Sequence, residues 1–138
     1  MSGLVRVSLS LEESLLENLN QMTEQEGYQN RSEFIRDLIR GHIVEKQWEC
    51  QEDVLGTLTV VFDHHQPELT QKLTEIQHDF SGKVLAATHV HLSHHICTEM
   101  IMLHGVSAEI RAMANAVKSL RGVLHAELSI STTGQGIS

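Results

Sequence analysis

The chain has 138 residues, a hydrophobic fraction of 41% and a formal net charge of −8 at pH 7. This length allows one ordinary domain or two small ones, and the apolar content is sufficient for a core. The acidic balance argues against non-specific nucleic-acid binding through a broad basic surface. We find no apolar run that could span a bilayer and no basic-then-apolar N-terminal segment, so we expect a cytoplasmic protein.

Residues 4–10 alternate between apolar and polar side chains, which predicts a short strand. The apolar positions are Val5, Val7 and Leu9, and the polar positions are Arg6, Ser8 and Ser10. Because an isolated short strand is unstable, we expect it to pair with the same strand of a second chain. Such a two-stranded ribbon fits the DNA major groove, where arginine and hydroxyl side chains read base edges.

Two helices are predicted after this strand. Ser10 and Glu13 have the spacing of a capping box at the start of the first helix, and Gly27 is placed to end it. The second helix is predicted to begin near Asn30, with Glu33 at the matching capping distance. Residues 1–46 hold five basic and eight acidic side chains, a net of −3. This balance leaves open a simple helical hairpin with an edge strand as the alternative to DNA binding.

Residues 47–53 are polar and are predicted to form a linker, in which Trp48 is a docking residue. The remainder follows a strand-helix-strand-strand-helix-strand order. Strands are predicted at 54–62, 83–92, 97–103 and 122–130, and helices at 67–80 and 107–120. This order is that of the split βαβ, ferredoxin-like fold, with two helices on one face of a four-stranded sheet. Residues 132–138 are predicted to be a flexible tail, and the fold class is α+β.

A His-x-His pair precedes a cysteine at the predicted hairpin. His89 and His91 point to the same side of an extended strand, and a hairpin through residues 93–95 would bring Cys97 beside them. Two imidazoles and one thiolate are suitable ligands for a transition metal. In a chain with ten histidines, the alternative is a chance pair on the wet face of a strand.

Three segments together carry a family resemblance: Arg6-Val-Ser-Leu-Ser10, Asn30-Arg-Ser-Glu-Phe-Ile-Arg36 and His89-Val-His-Leu-Ser-His-His-Ile-Cys97. A chain that combines them resembles the nickel-responsive transcriptional regulators, the NikR family. The resemblance implies a ribbon-helix-helix DNA-binding domain at 1–46. It also implies an ACT-type ferredoxin-like domain at 54–131 that binds nickel and forms a homotetramer, a dimer of dimers.

The resemblance implies one Ni(II) per subunit, held by three ligands from one subunit and one from a neighbour. The matching positions are His89, His91 and Cys97, with His78 as the fourth. A planar set of one thiolate and three imidazoles suits Ni(II), whereas Zn(II) prefers a tetrahedron, and Cu(II) remains a competitor. Gln77 and Glu99 match residues that orient the ligands, and His64 matches a histidine used in alternative metal coordination.

The implied function is a nickel-dependent repressor that binds an inverted-repeat operator and controls nickel-uptake genes. Arg6, Ser8 and Ser10 would read bases, and Arg31, Ser32 and Arg36 would contact phosphates. Glu33 and Asp37 match carboxylates that hold a cation, such as a potassium ion, between the two domains; a solvated helix face is the alternative.

Two other functions remain open at this stage. A copper- or cobalt-responsive regulator would keep the same fold, and an ACT-type module could instead bind an amino acid. The thiolate of Cys97 argues against an amino-acid site, which has no use for it. We expect no enzyme activity, because the chain contains no nucleotide-binding loop or nucleophile elbow.

Overall fold

The computed structural model describes residues 3–138. Its helices and strands, in chain order, are α1 (Glu13–Gln25), α2 (Arg31–Glu49), β1 (Asp53–Asp63), α3 (Leu69–Asp79), β2 (Lys83–His91), β3 (Ile96–Val106), α4 (Ser107–Lys118) and β4 (Val123–Ser131). The chain divides into two compact units. The first extends to Ile43 and also includes Gly136–Ser138, and the second comprises Val44–Gln135. Across the described residues, no helix has both the length and the apolar composition needed to cross a membrane.

The N-terminal residues 3–12 form no strand in the single chain, although a strand was predicted over 4–10. A strand is stabilised by a hydrogen-bonded neighbour, and one chain does not provide it here. The apolar side chains of this segment are exposed: Leu4 by 90%, Val5 by 83%, Val7 by 75% and Leu9 by 65%. Burial of these apolar side chains against another surface would be favourable.

Helix α1 begins later than predicted, and the capping box is wrong. Glu12 occupies the N-cap position, makes no side-chain cap hydrogen bond, and accepts the first helical bond from the Leu16 amide at 2.9 Å. Ser10 lies two residues before this position, and a side chain caps a helix only from the N-cap itself. The predicted end is confirmed, because Gly27 follows α1 with a left-handed backbone, φ +78°.

Helix α2 begins as predicted. The Glu33 amide donates a hydrogen bond to Asn30 Oδ1 at 3.0 Å, so the Asn30 side chain caps the helix. The helix continues to Glu49, and residues 47–49 of the predicted linker are therefore its last turn. Trp48 explains the extension: it is 3% exposed, and its indole nitrogen donates to the Ser131 carbonyl at 2.8 Å. Burial of this ring holds the last turn of α2 within the second unit.

The second unit has the predicted ferredoxin-like fold. Its antiparallel sheet has the strand order β2-β3-β1-β4, and its elements follow in the order β1, α3, β2, β3, α4, β4. Side chains alternate along β1, so that one row is buried under the helices. The buried residues of this layer include Val54, Leu58, Val60, Phe62, Leu69, Leu73, Ile101, Leu103, Ile110 and Val117. The core therefore lies between the helices and one sheet face.

Within residues 3–138, no helix or loop layer covers the opposite face of the sheet. Val90, Met100 and Met102 are exposed by 40%, 43% and 39%. In the alternating strand pattern these residues point away from the buried row of β3, which includes Ile101 and Leu103. We refer to Val90, Met100 and Met102 as the open-face patch.

Residues 132–138, predicted to be a flexible tail, make hydrogen bonds through their carbonyls. Gln47 Nε2 donates to the Gln135 carbonyl at 3.0 Å, and Arg40 Nε donates to the Ile137 carbonyl at 3.1 Å. The Gly134 amide also donates to Thr132 Oγ1 at 3.1 Å. Two of these hydrogen bonds connect the tail to side chains of α2, and the third lies within the tail.

Candidate metal centre

The register of the β2–β3 hairpin places the predicted ligands on one face of the sheet. His91 pairs with Cys97, and His89 pairs with Glu99. Directly paired residues of antiparallel strands share a face. Cys97 belongs to the buried, helix-covered row of β3 and is 0% exposed, whereas both histidines lie on the edge strand and are exposed. The thiol is thus fixed in the core while the imidazoles remain accessible.

Three side chains surround one point at this edge. Cys97 Sγ lies 3.1 Å from His91 Nδ1 and 3.5 Å from His64 Nδ1. The ligand atoms of His64, His91 and Cys97 all lie within 4.8 Å of one another. We call these three residues the Cys97 cluster. A single metal ion can bind donors at such separations after small side-chain movements.

His64 reaches the cluster through the pairing of β1 with β3. Phe62, near the end of β1, pairs with Cys97, so the loop after β1 begins beside the thiol. The His64 amide donates to the His95 carbonyl at 2.7 Å, which ties this loop to the β2–β3 turn. The sequence indicated His64 only as an alternative ligand. Its closeness to Cys97 depends on the long-range pairing of β1 with β3, which spacing along the chain does not reveal.

The other predicted metal residues lie outside the Cys97 cluster in this chain. The His89 ring centroid is 5.0 Å from that of His91 and 5.7 Å from that of Phe62, with the His89 and Phe62 rings edge-on to each other. His78 is an exposed residue of α3. Gln77 and Glu99 are half-buried, on α3 and on β3 opposite His89.

The donor atoms of the cluster suit a transition-metal ion such as nickel. A cysteine sulfur and imidazole nitrogens are ligands for borderline transition metals, whereas calcium and magnesium require oxygen ligands. The short contacts from Cys97 Sγ to two ring nitrogens show that the nitrogens already point at the sulfur. Such an arrangement needs little reorganisation to accept an ion.

The predicted DNA-contacting residues lie in the first unit and are exposed. Arg6, Ser8 and Ser10 belong to the segment that precedes α1. Arg31 and Ser32 are in the first turn of α2, where backbone amides favour a phosphate. Arg36 Nη2 lies 3.9 Å from Glu33 Oε1, a weak exposed ion pair that leaves the guanidinium available.

Asp37 already has two partners in the first unit. Its Oδ2 accepts a hydrogen bond from the Tyr28 hydroxyl at 2.7 Å, and its Oδ1 accepts one from Arg40 Nη1 at 3.4 Å. The hydrogen bond to this carboxylate is the main cause that raises the pKa of Tyr28 above its ordinary value. The carboxylates of Glu33 and Asp37 are thus both paired with arginines on α2.

Comparison with known proteins agrees with this architecture. Residues 55–131 match the family model of the NikR C-terminal nickel-binding domain, and residues 5–46 match that of ribbon-helix-helix proteins of the CopG family. Among solved structures, the ACT domain of a GTP pyrophosphokinase from Chlorobium tepidum aligns with a TM-score of 0.51 at 15% identity. The alignment covers 56% of this chain and 99% of the ACT domain. At this identity the likeness shows the fold alone.

Relatives extend the match to the whole chain. A protein of Nitratidesulfovibrio vulgaris (strain DSM 19637 / Miyazaki F), classed as a nickel-responsive regulator, is 44% identical over 139 residues, covering 100% of both chains. One from Solibacter usitatus in the same class is 47% identical over 135 residues, covering 97% of each. The chain belongs to the NikR family of nickel-responsive regulators.

Proposed function

We propose that the protein is a nickel-dependent transcriptional repressor that binds an inverted-repeat operator and controls nickel-uptake genes. The observation that carries this proposal is the Cys97 cluster, in a chain whose N-terminal part matches ribbon-helix-helix proteins. A metal-binding unit and a DNA-binding unit in one chain are the two parts that a metal-responsive repressor requires. We place this activity in the cytoplasm.

We propose that His89, His91 and Cys97 bind one Ni(II) per subunit, with His78 donated by a neighbouring subunit. The β2–β3 register supports the first three, because it places them on one face. His64, which contacts Cys97 in this chain, would serve in alternative coordination. Gln77 and Glu99 would orient the ligands through hydrogen bonds, a role that commonly changes metal affinity by about 10- to 100-fold.

A ligand set shared between subunits would link metal binding to assembly. Bound nickel would supply bonds that join the edge of one sheet to helix α3 of a neighbour. Such linkage between a metal site and a DNA-binding state typically amounts to about 1–3 kcal/mol. We therefore propose a homotetramer, a dimer of dimers, as the form that responds to nickel.

The DNA-binding surface would form when two chains pair their residues 4–10. The exposure of Leu4, Val5, Val7 and Leu9 supports pairing with a second copy, since it would cover these side chains. Arg6, Ser8 and Ser10 would then read bases in the major groove, while Arg31, Ser32 and Arg36 contact phosphates. A potassium ion at Glu33 and Asp37 would offset part of the acidic charge.

The first test is a nickel titration of the reduced, metal-free protein, followed by absorption spectroscopy. We expect a thiolate-to-nickel charge-transfer band that saturates at one ion per chain. Cys97→Ala should remove the band and weaken nickel binding by more than about 100-fold, with circular dichroism unchanged. Cys50→Ala is the matched control, because Cys50 is exposed and lies outside the cluster. Tight nickel binding by Cys97→Ala would exclude the proposed centre.

The second test is selection of DNA from a randomised duplex pool by the nickel-loaded protein, then a gel shift with the enriched duplex. We expect an inverted repeat, bound only with nickel present. Arg6→Ala should lower affinity for the enriched duplex without changing nickel affinity. An equal loss of affinity for random DNA would show that Arg6 contacts only phosphates. Failure of the selection to enrich any sequence would contradict operator binding.

A further inference from the structure

A small cavity lies between helix α4 and strand β4 in the second unit. Its volume is about 180 Å³, and its polar lining consists of Arg111, Asn115 and Lys118 from α4 and Glu127 from β4. The three α4 residues are four and three positions apart, the spacing that places side chains on one face of a helix. A guanidinium, an amide and an ammonium group therefore line the same wall of the cavity.

The charge of this lining is positive, although the chain as a whole has a net charge of −8. The ion pairs formed among residues 3–138 include neither Arg111 nor Lys118. Glu127, the acidic side chain of the lining, instead lies 3.3 Å from His125 Nε2. Two positive charges thus face one negative charge, and this balance favours a negatively charged ligand.

The guanidinium of Arg111 is supported from below by a buried ring. Its central carbon lies 5.1 Å from the centroid of the Trp48 ring, a cation–π contact. The ring is itself fixed, since Trp48 is 3% exposed and its indole nitrogen donates to the Ser131 carbonyl at 2.8 Å. A guanidinium held in this way has less conformational freedom to lose when it binds a ligand.

We propose that this cavity binds one small tetrahedral oxyanion of the phosphate class per chain. Arg111 and Lys118 would supply charge-assisted hydrogen bonds, and the side-chain amide of Asn115 would donate another. Three donors on one wall suit an anion with four oxygens better than a carboxylate with two. The volume of about 180 Å³ has room for such an anion together with water. The proposal does not depend on the nickel centre or on DNA binding.

The test is a titration of full-length, metal-free protein with inorganic phosphate, with chloride used to keep the ionic strength constant. Trp48 is the single tryptophan of the chain and contacts Arg111, so its fluorescence reports movement of the guanidinium. We expect a saturable change in fluorescence, and isothermal titration calorimetry should give one phosphate per chain. Acetate should bind about tenfold more weakly, because it cannot accept hydrogen bonds from all three donors.

Substitutions in the lining should change the affinity in opposite directions. Lys118→Gln and Arg111→Gln should each weaken phosphate binding by about tenfold or more, and circular dichroism checks that loss of the contact with Trp48 leaves the fold intact. Glu127→Gln should strengthen binding, because it removes the negative charge of the lining. Lys72→Gln is the matched control, since it removes a positive charge from an exposed residue of α3 outside the cavity.

A phosphate monoester, glycerol 3-phosphate, distinguishes two sources of the same chemistry. Tighter binding than inorganic phosphate would identify an organic phosphate as the ligand, and weaker binding would identify the free ion. Absence of a saturable heat of phosphate binding would overturn the proposal, and so would equal affinity in Lys118→Gln and the parent protein. An equal fluorescence response to chloride, or equal affinity for acetate, would also overturn it.

Discussion

The buried thiol of Cys97 and the exposed imidazoles beside it divide two tasks within the centre. Cys97 is 0% exposed in a packed sheet, which restricts its movement, so in the proposed centre it would define where an ion binds. His64 and His91 lie on the exposed rim and can move towards or away from that point. In the proposed centre, the buried thiol would provide rigidity and the exposed imidazoles would leave a path for exchange of the ion.

Tyr28 reports on the carboxylate of Asp37 and provides a pH-dependent test. Because the hydrogen bond to Asp37 raises its pKa, the folded protein should form tyrosinate at higher pH than free tyrosine does. The associated stabilisation is fully present below the ordinary tyrosine pKa and disappears as pH rises through the raised value. Asp37→Asn should lower the Tyr28 pKa towards its ordinary value.

Ultraviolet absorption measures this titration directly, since Tyr28 is the single tyrosine of the chain. Glu26→Gln is the control, because Glu26 contributes only the last of the four effects on Tyr28. An equal fall in pKa for both variants would show that general acidic charge, and not the hydrogen bond, holds the proton.

At the scale of elements, the end of α2 packs closely on β1 because Gly56 has no side chain. A Cβ at Gly56 would lie 3.1 Å from Trp48, 3.2 Å from Ile110 and 3.3 Å from Leu128. Trp48 is 3% exposed and Ile110 is 0% exposed, so neither the Trp48 ring nor the Ile110 methyl group has free space into which to move. The glycine therefore permits the contact between β1 and the last turn of α2.

Gly56→Ala should lower the free energy of unfolding by about 1–3 kcal/mol through overpacking. Gly41→Ala is the matched control, since a Cβ there meets nothing within 4 Å and Gly41 lies inside α2. That substitution should stabilise the protein by about 0.5–1 kcal/mol through helix propensity. Chemical denaturation measures both values, and unchanged or greater stability of Gly56→Ala would show that the neighbours yield.

At the scale of the whole molecule, two of the exposed apolar surfaces among the described residues bear on assembly. One is the row of residues 4–9 in the first unit, and the other is the open-face patch in the second. Each surface belongs to a different unit, so in the proposed assembly each would pack against a different copy of the chain. The proposed dimer of dimers would use two such surfaces.

Met100→Glu combined with Met102→Glu should reduce the size of the assembly, because charge on the open-face patch opposes its burial. Sedimentation velocity measures the size, and circular dichroism checks that the sheet is retained. Ala116→Glu is the control, since it adds a charge to the exposed side of α4. An unchanged assembly would show that the copies associate through another surface.

Local sequence patterns were sufficient to predict the ferredoxin-like order of elements and the His-x-His pair with its cysteine. Alternation along β1 and the apolar stripes of α3 and α4 are short-range consequences of how strands and helices expose side chains. The start of α2 at Asn30 and the stop at Gly27 likewise depend on neighbouring residues. These features needed no knowledge of distant contacts.

Only the tertiary structure decided which histidines lie together. His64 and Cys97 are 33 positions apart, and they meet because β1 pairs with β3 in one particular register. The contact between His65 and His95 has the same origin, and the length of α2 depends on burial of Trp48 beside β4. Spacing along the chain specifies faces of single elements, whereas the pairing of distant strands selects which faces meet.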